Sequence, residues 1–62
     1  MNNVMKIQYL TPKQAAEVLQ ISERTLYKLT KFAGLPGLKI GRLVRYDPED
    51  LAAWIAKRKM QN

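Results

Sequence analysis

The chain has 62 residues, enough for one small domain, and a domain of that size buries only about 60% of the surface its unfolded form exposes. It contains no Cys and no His, which excludes disulfides, thiol or imidazole catalysis and the usual zinc ligand sets, and no apolar run reaches the length needed to span a bilayer. Eleven Lys and Arg against five Asp and Glu give a net charge of +6, the balance of a protein that meets a polyanion.

That charge is unevenly placed. Residues 22–46 hold Arg24, Lys28, Lys31, Lys39, Arg42 and Arg45 against Glu23 alone, a balance of +5, while residues 47–62 cancel. One segment therefore carries nearly all of the excess, as expected of a single basic face. A membrane-surface helix would need basic residues flanking a broad apolar face, and no stretch has that form.

Residues 1–8 show no sustained period and are expected to form a flexible tail, with Val4, Met5 and Ile7 offering at most an apolar contact. Helix signals begin at Thr11, a capping residue followed by Pro12 at the first helical position and by Gln14, which completes a capping box. Leu10 and Ala15 stand where a hydrophobic staple would join them. The helix should run from Pro12 to about Leu19, with Ala15, Val18 and Leu19 turned inward. A tight turn at Gln20-Ile21 follows, and Ser22 caps a second helix with Glu23 in its first turn. Leu26 and Leu29 mark the inner face of that helix. Gly34 and Pro36 end it near Phe32 or Ala33, and both Phe32 and Leu35 are expected in the core.

The offsets within this pair are informative. Ala16 is small where crossing helices approach, Ile21 can plug the turn, and Leu26 can pack beneath the second helix. That pattern is the one found in a helix-turn-helix, whose second helix enters the DNA major groove. The turn position usually held by Gly is Gln20 here, although the turn commonly needs positive φ.

From Leu38 to Tyr46 the period changes to alternation around Gly41-Arg42-Leu43, which predicts a β-hairpin. Pairing Ile40 with Val44 and Leu38 with Tyr46 keeps the apolar residues on one face. A three-residue loop or a bulge is therefore expected, with Lys39 and Arg45 outward and Arg42 at the tip. Such a hairpin is marginal alone, so its apolar side should rest on the last segment. There Asp47 caps a third helix, Pro48 takes its first position, and Leu51, Trp54 and Ile55 form an inward stripe. Trp54 is large enough to bridge the hairpin and the helical pair. Lys57, Arg58 and Lys59 suit the negative end of the helix dipole.

The stretches Tyr9-Leu10-Thr11-Pro12-Lys13-Gln14-Ala15-Ala16, Ile21-Ser22-Glu23-Arg24-Thr25-Leu26-Tyr27-Lys28, Lys39-Ile40-Gly41-Arg42, Arg45-Tyr46 and Asp50-Leu51-Ala52-Ala53-Trp54 occur in that order. Together they resemble the small excisionase-type DNA-binding domains, which are related to the MerR-like winged helix. The resemblance implies a mainly α fold with a small hairpin, ordered α-α-β-β-α, over residues 9–60. It also implies a recognition helix presenting Ser22, Arg24, Thr25, Tyr27 and Lys28, and a wing presenting Lys39, Arg42 and Arg45; Lys31, farther along the second helix, is expected to join the recognition-helix set. Glu23 stands where many relatives carry a basic residue.

Members of that family act as excisionases, which set the direction of recombination, or as small transcriptional regulators of phages and mobile elements. Double-stranded DNA is thus the expected partner, with a tyrosine-type integrase and cooperative self-association on DNA as further ones. The expected location is the cytoplasm, in association with the nucleoid. The competing reading is an adaptor that docks its basic face on a recombinase or polymerase subunit. An enzyme is not expected: the clustered acids Asp47, Glu49 and Asp50 are explained by capping, and no Gly-rich phosphate loop is present. No cofactor or metal is implied.

Overall fold

The computed structural model describes residues 8–59. The elements are α1 (Pro12–Leu19), α2 (Glu23–Phe32), β1 (Leu38–Ile40), β2 (Leu43–Arg45) and α3 (Pro48–Arg58), the order of a winged helix-turn-helix. The tail expected over residues 1–8 lies outside the described residues except for Gln8, which is irregular and exposed.

Each helix starts where its cap predicts. The Gln14 N–H donates to Thr11 Oγ1 at 3.1 Å and the Thr11 N–H to Gln14 Oε1 at 2.9 Å, so the capping box satisfies both ends of the exchange. Ser22 Oγ accepts the Thr25 N–H at 3.0 Å, and Asp47 Oδ1 accepts the Glu49 N–H at 2.9 Å. The end of α1 turns through Gln20 at φ 59°, ψ 45°, a left-handed position occupied by a non-glycine residue. There the Gln20 N–H reaches Glu17 O at 3.1 Å and the Ile21 N–H reaches Ala16 O at 3.0 Å. This is a Schellman arrangement, which brings residues 16 and 21 together. It gives the spacing of the small residue and the turn hydrophobe its physical basis. At the end of α2, Gly34 at φ 78° redirects the chain so that the Leu35 N–H meets Leu29 O at 3.2 Å.

The core is Ala15, Ala16, Leu26, Leu35, Tyr46 and Leu51, with Leu10, Leu19, Ile21, Leu29, Val44 and Trp54 packed around it. Two residues expected inside are outside. Val18 is 60% exposed, because the buried stripe of α1 is Ala15, Ala16 and Leu19, and position 18 lies roughly 110° from the centre of that stripe. Phe32 is 80% exposed: it sits about 120° from the inward line through Leu26, and Leu35 fills the space beyond the helix end instead.

The hairpin also departs from expectation. Its register pairs Leu38 with Arg45, Lys39 with Val44 and Ile40 with Leu43 across a two-residue turn at Gly41-Arg42, not across a three-residue loop. Gly41 at φ 63° supplies the positive φ that a tight hairpin turn of this length requires at its first central position. The reason for the register lies in Tyr46. Its backbone is committed to Leu10, with the Leu10 N–H on Tyr46 O at 2.8 Å and the Tyr46 N–H on Leu10 O at 2.9 Å, so it is not available to pair with Leu38. As a result Leu38, Ile40 and Leu43 share a face and remain 39%, 52% and 53% exposed. The helical brace expected beneath them does not cover them. Trp54 is instead tied to the end of α2, with its indole N–H on Ala33 O at 3.2 Å, and Arg58 stacks over its ring at 4.6 Å.

Candidate nucleic-acid interface

Helix α2 is held by Leu26, which is buried, and by Leu29 and Thr30, which are half-buried. At 100° per residue, Tyr27, Lys31, Arg24 and Lys28 fall at about 100°, 140°, 160° and 200° from Leu26. All four are exposed, so the helix presents one polar, basic surface opposite the core. The Lys31 ammonium lies 5.5 Å from the centroid of the Tyr27 ring, an attraction that orders two side chains on that surface.

Ser22 and Thr25 stand at the start of the helix, and their first role is local. Ser22 Oγ accepts the Thr25 N–H and donates its own proton to Thr25 Oγ1, both at 3.0 Å. Ser22 therefore has its proton engaged, whereas Thr25 keeps its hydroxyl proton to give to an outside acceptor.

The wing residues divide. Lys39 shares a face with Val44, and the two line a groove of about 290 Å³ together with Tyr27, Thr30, Gly37, Leu38 and Tyr46. Lys39 thus lines the same groove as Tyr27 while remaining exposed, on the hairpin face shared with Val44 and not with Arg45. Arg42 is exposed in the turn. Arg45 is on the other face with Leu38 and Leu43; it is half-buried, and its guanidinium donates to Val44 O at 2.7 Å. Tyr27 and Lys39 line one groove, Arg24, Lys28 and Lys31 are exposed on α2, Arg42 lies in the hairpin turn, and Arg45 is on the opposite face of the hairpin from Lys39.

Two residues at this site escaped sequence reasoning. Thr30 Oγ1 donates to Leu26 O at 2.9 Å and meets the Tyr46 hydroxyl at 2.8 Å. Gly37 passes so close that an added Cβ would lie 3.3 Å from Tyr46 Cε2 and 3.4 Å from Thr30 Cγ2. The only available signals were a Thr within a helix, which bonds back to the carbonyl four residues earlier, and a Gly just before a strand. Neither names a distant partner.

The family model for the helix-turn-helix domain matches residues 9–59, the greater part of the chain and all five elements. The chain belongs to the helix-turn-helix domain family. Domains of this kind bind DNA through the second helix of the pair, so this is a DNA-binding helix-turn-helix protein, and α2 is that second helix. No curated protein and no solved structure matches the chain. Among the described residues no helix is long and apolar enough to cross a membrane, and no cluster of acids could hold a metal ion.

Proposed function

We propose that the protein binds double-stranded DNA sequence-specifically, with α2 in the major groove and the hairpin as a wing on the adjacent backbone or minor groove. The observation that carries this reading is the exposed set Arg24, Tyr27, Lys28 and Lys31 opposite the buried Leu26, continued across the groove by Lys39. Arg24 and Lys28 project farthest from the core and are the donors suited to guanine O6 and N7. Thr25 and Tyr27 offer hydroxyls to phosphate, which fixes register without reading sequence. Arg42 suits the negative potential of a narrow minor groove. Arg45, tethered to Val44 O, contributes to the wing's own geometry more than to DNA.

The resemblance to excisionase-type domains supports one of two closely related jobs: directing a tyrosine-type integrase toward excision, or regulating the genes of a mobile element. The exposed apolar face of Leu38, Ile40 and Leu43 is a feature that DNA binding leaves unused, and it favours a protein contact in addition. Pull-down of a recombinase or polymerase subunit, with no shift of any DNA fragment, would support the adaptor reading in place of the DNA-binding one.

The test is a fluorescence titration of labelled duplex at several salt concentrations. With about three cations, Lys31, Lys39 and Arg42, on phosphate, log K should fall with log salt at a slope of roughly −3, losing about 40-fold in affinity between 50 and 200 mM. A slope near zero would dismiss the reading. Arg24→Ala should weaken a selected site more than random duplex, and Arg42→Ala should weaken both alike if it meets phosphate. Recovery of bound genomic fragments then separates the two jobs: attachment sites beside an integrase gene indicate excision, and promoters indicate regulation.

A further inference from the structure

The two halves of the basic face belong to different elements, and the described structure joins them at one small contact. The Thr30 hydroxyl has a single proton and directs it to Leu26 O at 2.9 Å. The 2.8 Å contact between Thr30 Oγ1 and Tyr46 Oη is therefore a hydrogen bond donated by Tyr46. Tyr46 follows β2 directly, it is buried, and its backbone N–H and C=O both bond to Leu10. Gly37 admits the ring at a distance that any Cβ would crowd. Three segments thus converge beneath the groove: α2 through Thr30, the loop before β1 through Gly37, and the end of β2 through Tyr46.

We propose that Tyr46 and Thr30 are positioning residues that set where the wing stands relative to the recognition helix, so that Lys39 and Arg42 reach DNA in register with Arg24 and Lys28. This rests on the DNA-binding reading above and adds the device that makes the two basic elements one surface. The physical grounds are the shortness of the hairpin and its few other supports, Val44 against the core and the pairing of Tyr46 with Leu10. Its strands have three residues each, and its apolar outer face is uncovered. A two-stranded ribbon of that length does not hold its own orientation in water. A directional hydrogen bond between a group on α2 and one at the end of β2, partly shielded from solvent, restrains that orientation, because losing it gives up a specific contact between the two elements.

The experiment compares Tyr46→Phe, Thr30→Val and the double variant with the parent protein. A fluorescein-labelled duplex of random sequence serves as probe from 50 to 200 mM salt, and Arg42→Ala is added in each background. Tyr46→Phe keeps the ring and should fold. It is expected to bind roughly tenfold more weakly and to lose about 1 to 2 from the magnitude of the salt slope, as one or two phosphate contacts are given up. Arg42→Ala should then cost almost nothing, although it costs several-fold in the parent. Thr30→Val should shift the slope in the same way, the double variant should be no worse than either single, and Thr30→Ser should restore the parent slope.

A loss of stability with an unchanged slope and an unchanged Arg42 effect would overturn the proposal and leave the pair purely structural. Should Tyr46→Phe fail to fold, the contrast of Thr30→Val with Thr30→Ser decides alone. If the parent itself shows no salt dependence, the DNA reading has failed. The positioning claim is then judged on amide hydrogen exchange in the free protein: Thr30→Val should accelerate exchange in the hairpin and leave α1 and α2 protected, and equal rates in both would refute it.

Discussion

The helical pair and the hairpin of this domain are both short, yet they are held in opposite ways. In α1 and α2, caps satisfy the ends locally, a Schellman turn closes Ala16 on Ile21, and Ala15, Ala16 and Leu26 are almost wholly buried between the helices. In the hairpin, three apolar residues remain in solvent, and support comes from Val44 against the core and from Tyr46 at its end, bonded to Leu10 and to Thr30. One region is made by nearby residues and then packed. The other is positioned by residues far away in the chain. The contrast sets a helical pair closed by local caps and a buried seam against a hairpin that depends on contacts made far along the chain.

That contrast can be broken most directly at Leu26, whose side chain is 1% exposed. Leu26→Ala should cost about 2–5 kcal/mol by lost burial and a residual cavity. In a domain this small that is enough to unfold much of the population at 25 °C, and urea denaturation followed by circular dichroism will show it as a lowered midpoint for the whole molecule. A lower-cost outcome would mean that the helical pair does not depend on its seam. Gly41→Ala acts on the other region. Its φ of 63° is costly for a side chain, by about 1–2 kcal/mol, and nothing lies within 4 Å of the added methyl. The loss should therefore appear as faster hydrogen exchange in the hairpin with the far-ultraviolet helical signal retained. Phe32→Ser should change stability by less than about 0.5 kcal/mol, since the ring is solvent-exposed. A large loss would place Phe32 back in the core, where its sequence context had suggested it belonged.

Local chemistry accounts for most of what was legible. Thr11, Ser22 and Asp47 each announce a helix start because a side-chain oxygen two or three residues ahead of an orphan N–H satisfies it wherever the rest of the chain goes. Gly34 and Pro36 announce a stop for similar reasons. The inward faces of α2 and α3 followed from spacing, and the recognition-helix cations came out on one exposed surface. Legibility failed where one turn of helix offers two apolar residues and only one can be covered. Val18 lost to Ala16, and Phe32 lost to Leu35, and both outcomes depend on which neighbour arrives from elsewhere. The hairpin register failed for the same kind of reason: alternation within residues 38–46 argued for pairing Tyr46 with Leu38, but Leu10 competes for the same backbone groups.

By itself, then, the sequence determined three helices with their limits, a hairpin near Gly41, and a concentration of positive charge in residues 22–46. Those depend on interactions within a few residues, whose geometry the backbone supplies. Only the tertiary structure decided that Lys39 and Tyr27 line one groove while Arg45 lies on the other face of the hairpin, that Tyr46 is shared between Leu10 and Thr30, and that Leu38, Ile40 and Leu43 stay exposed. Each of those is a competition among partners distant in the chain for one donor, one acceptor or one patch of apolar surface, and the winner is chosen by how the elements dock.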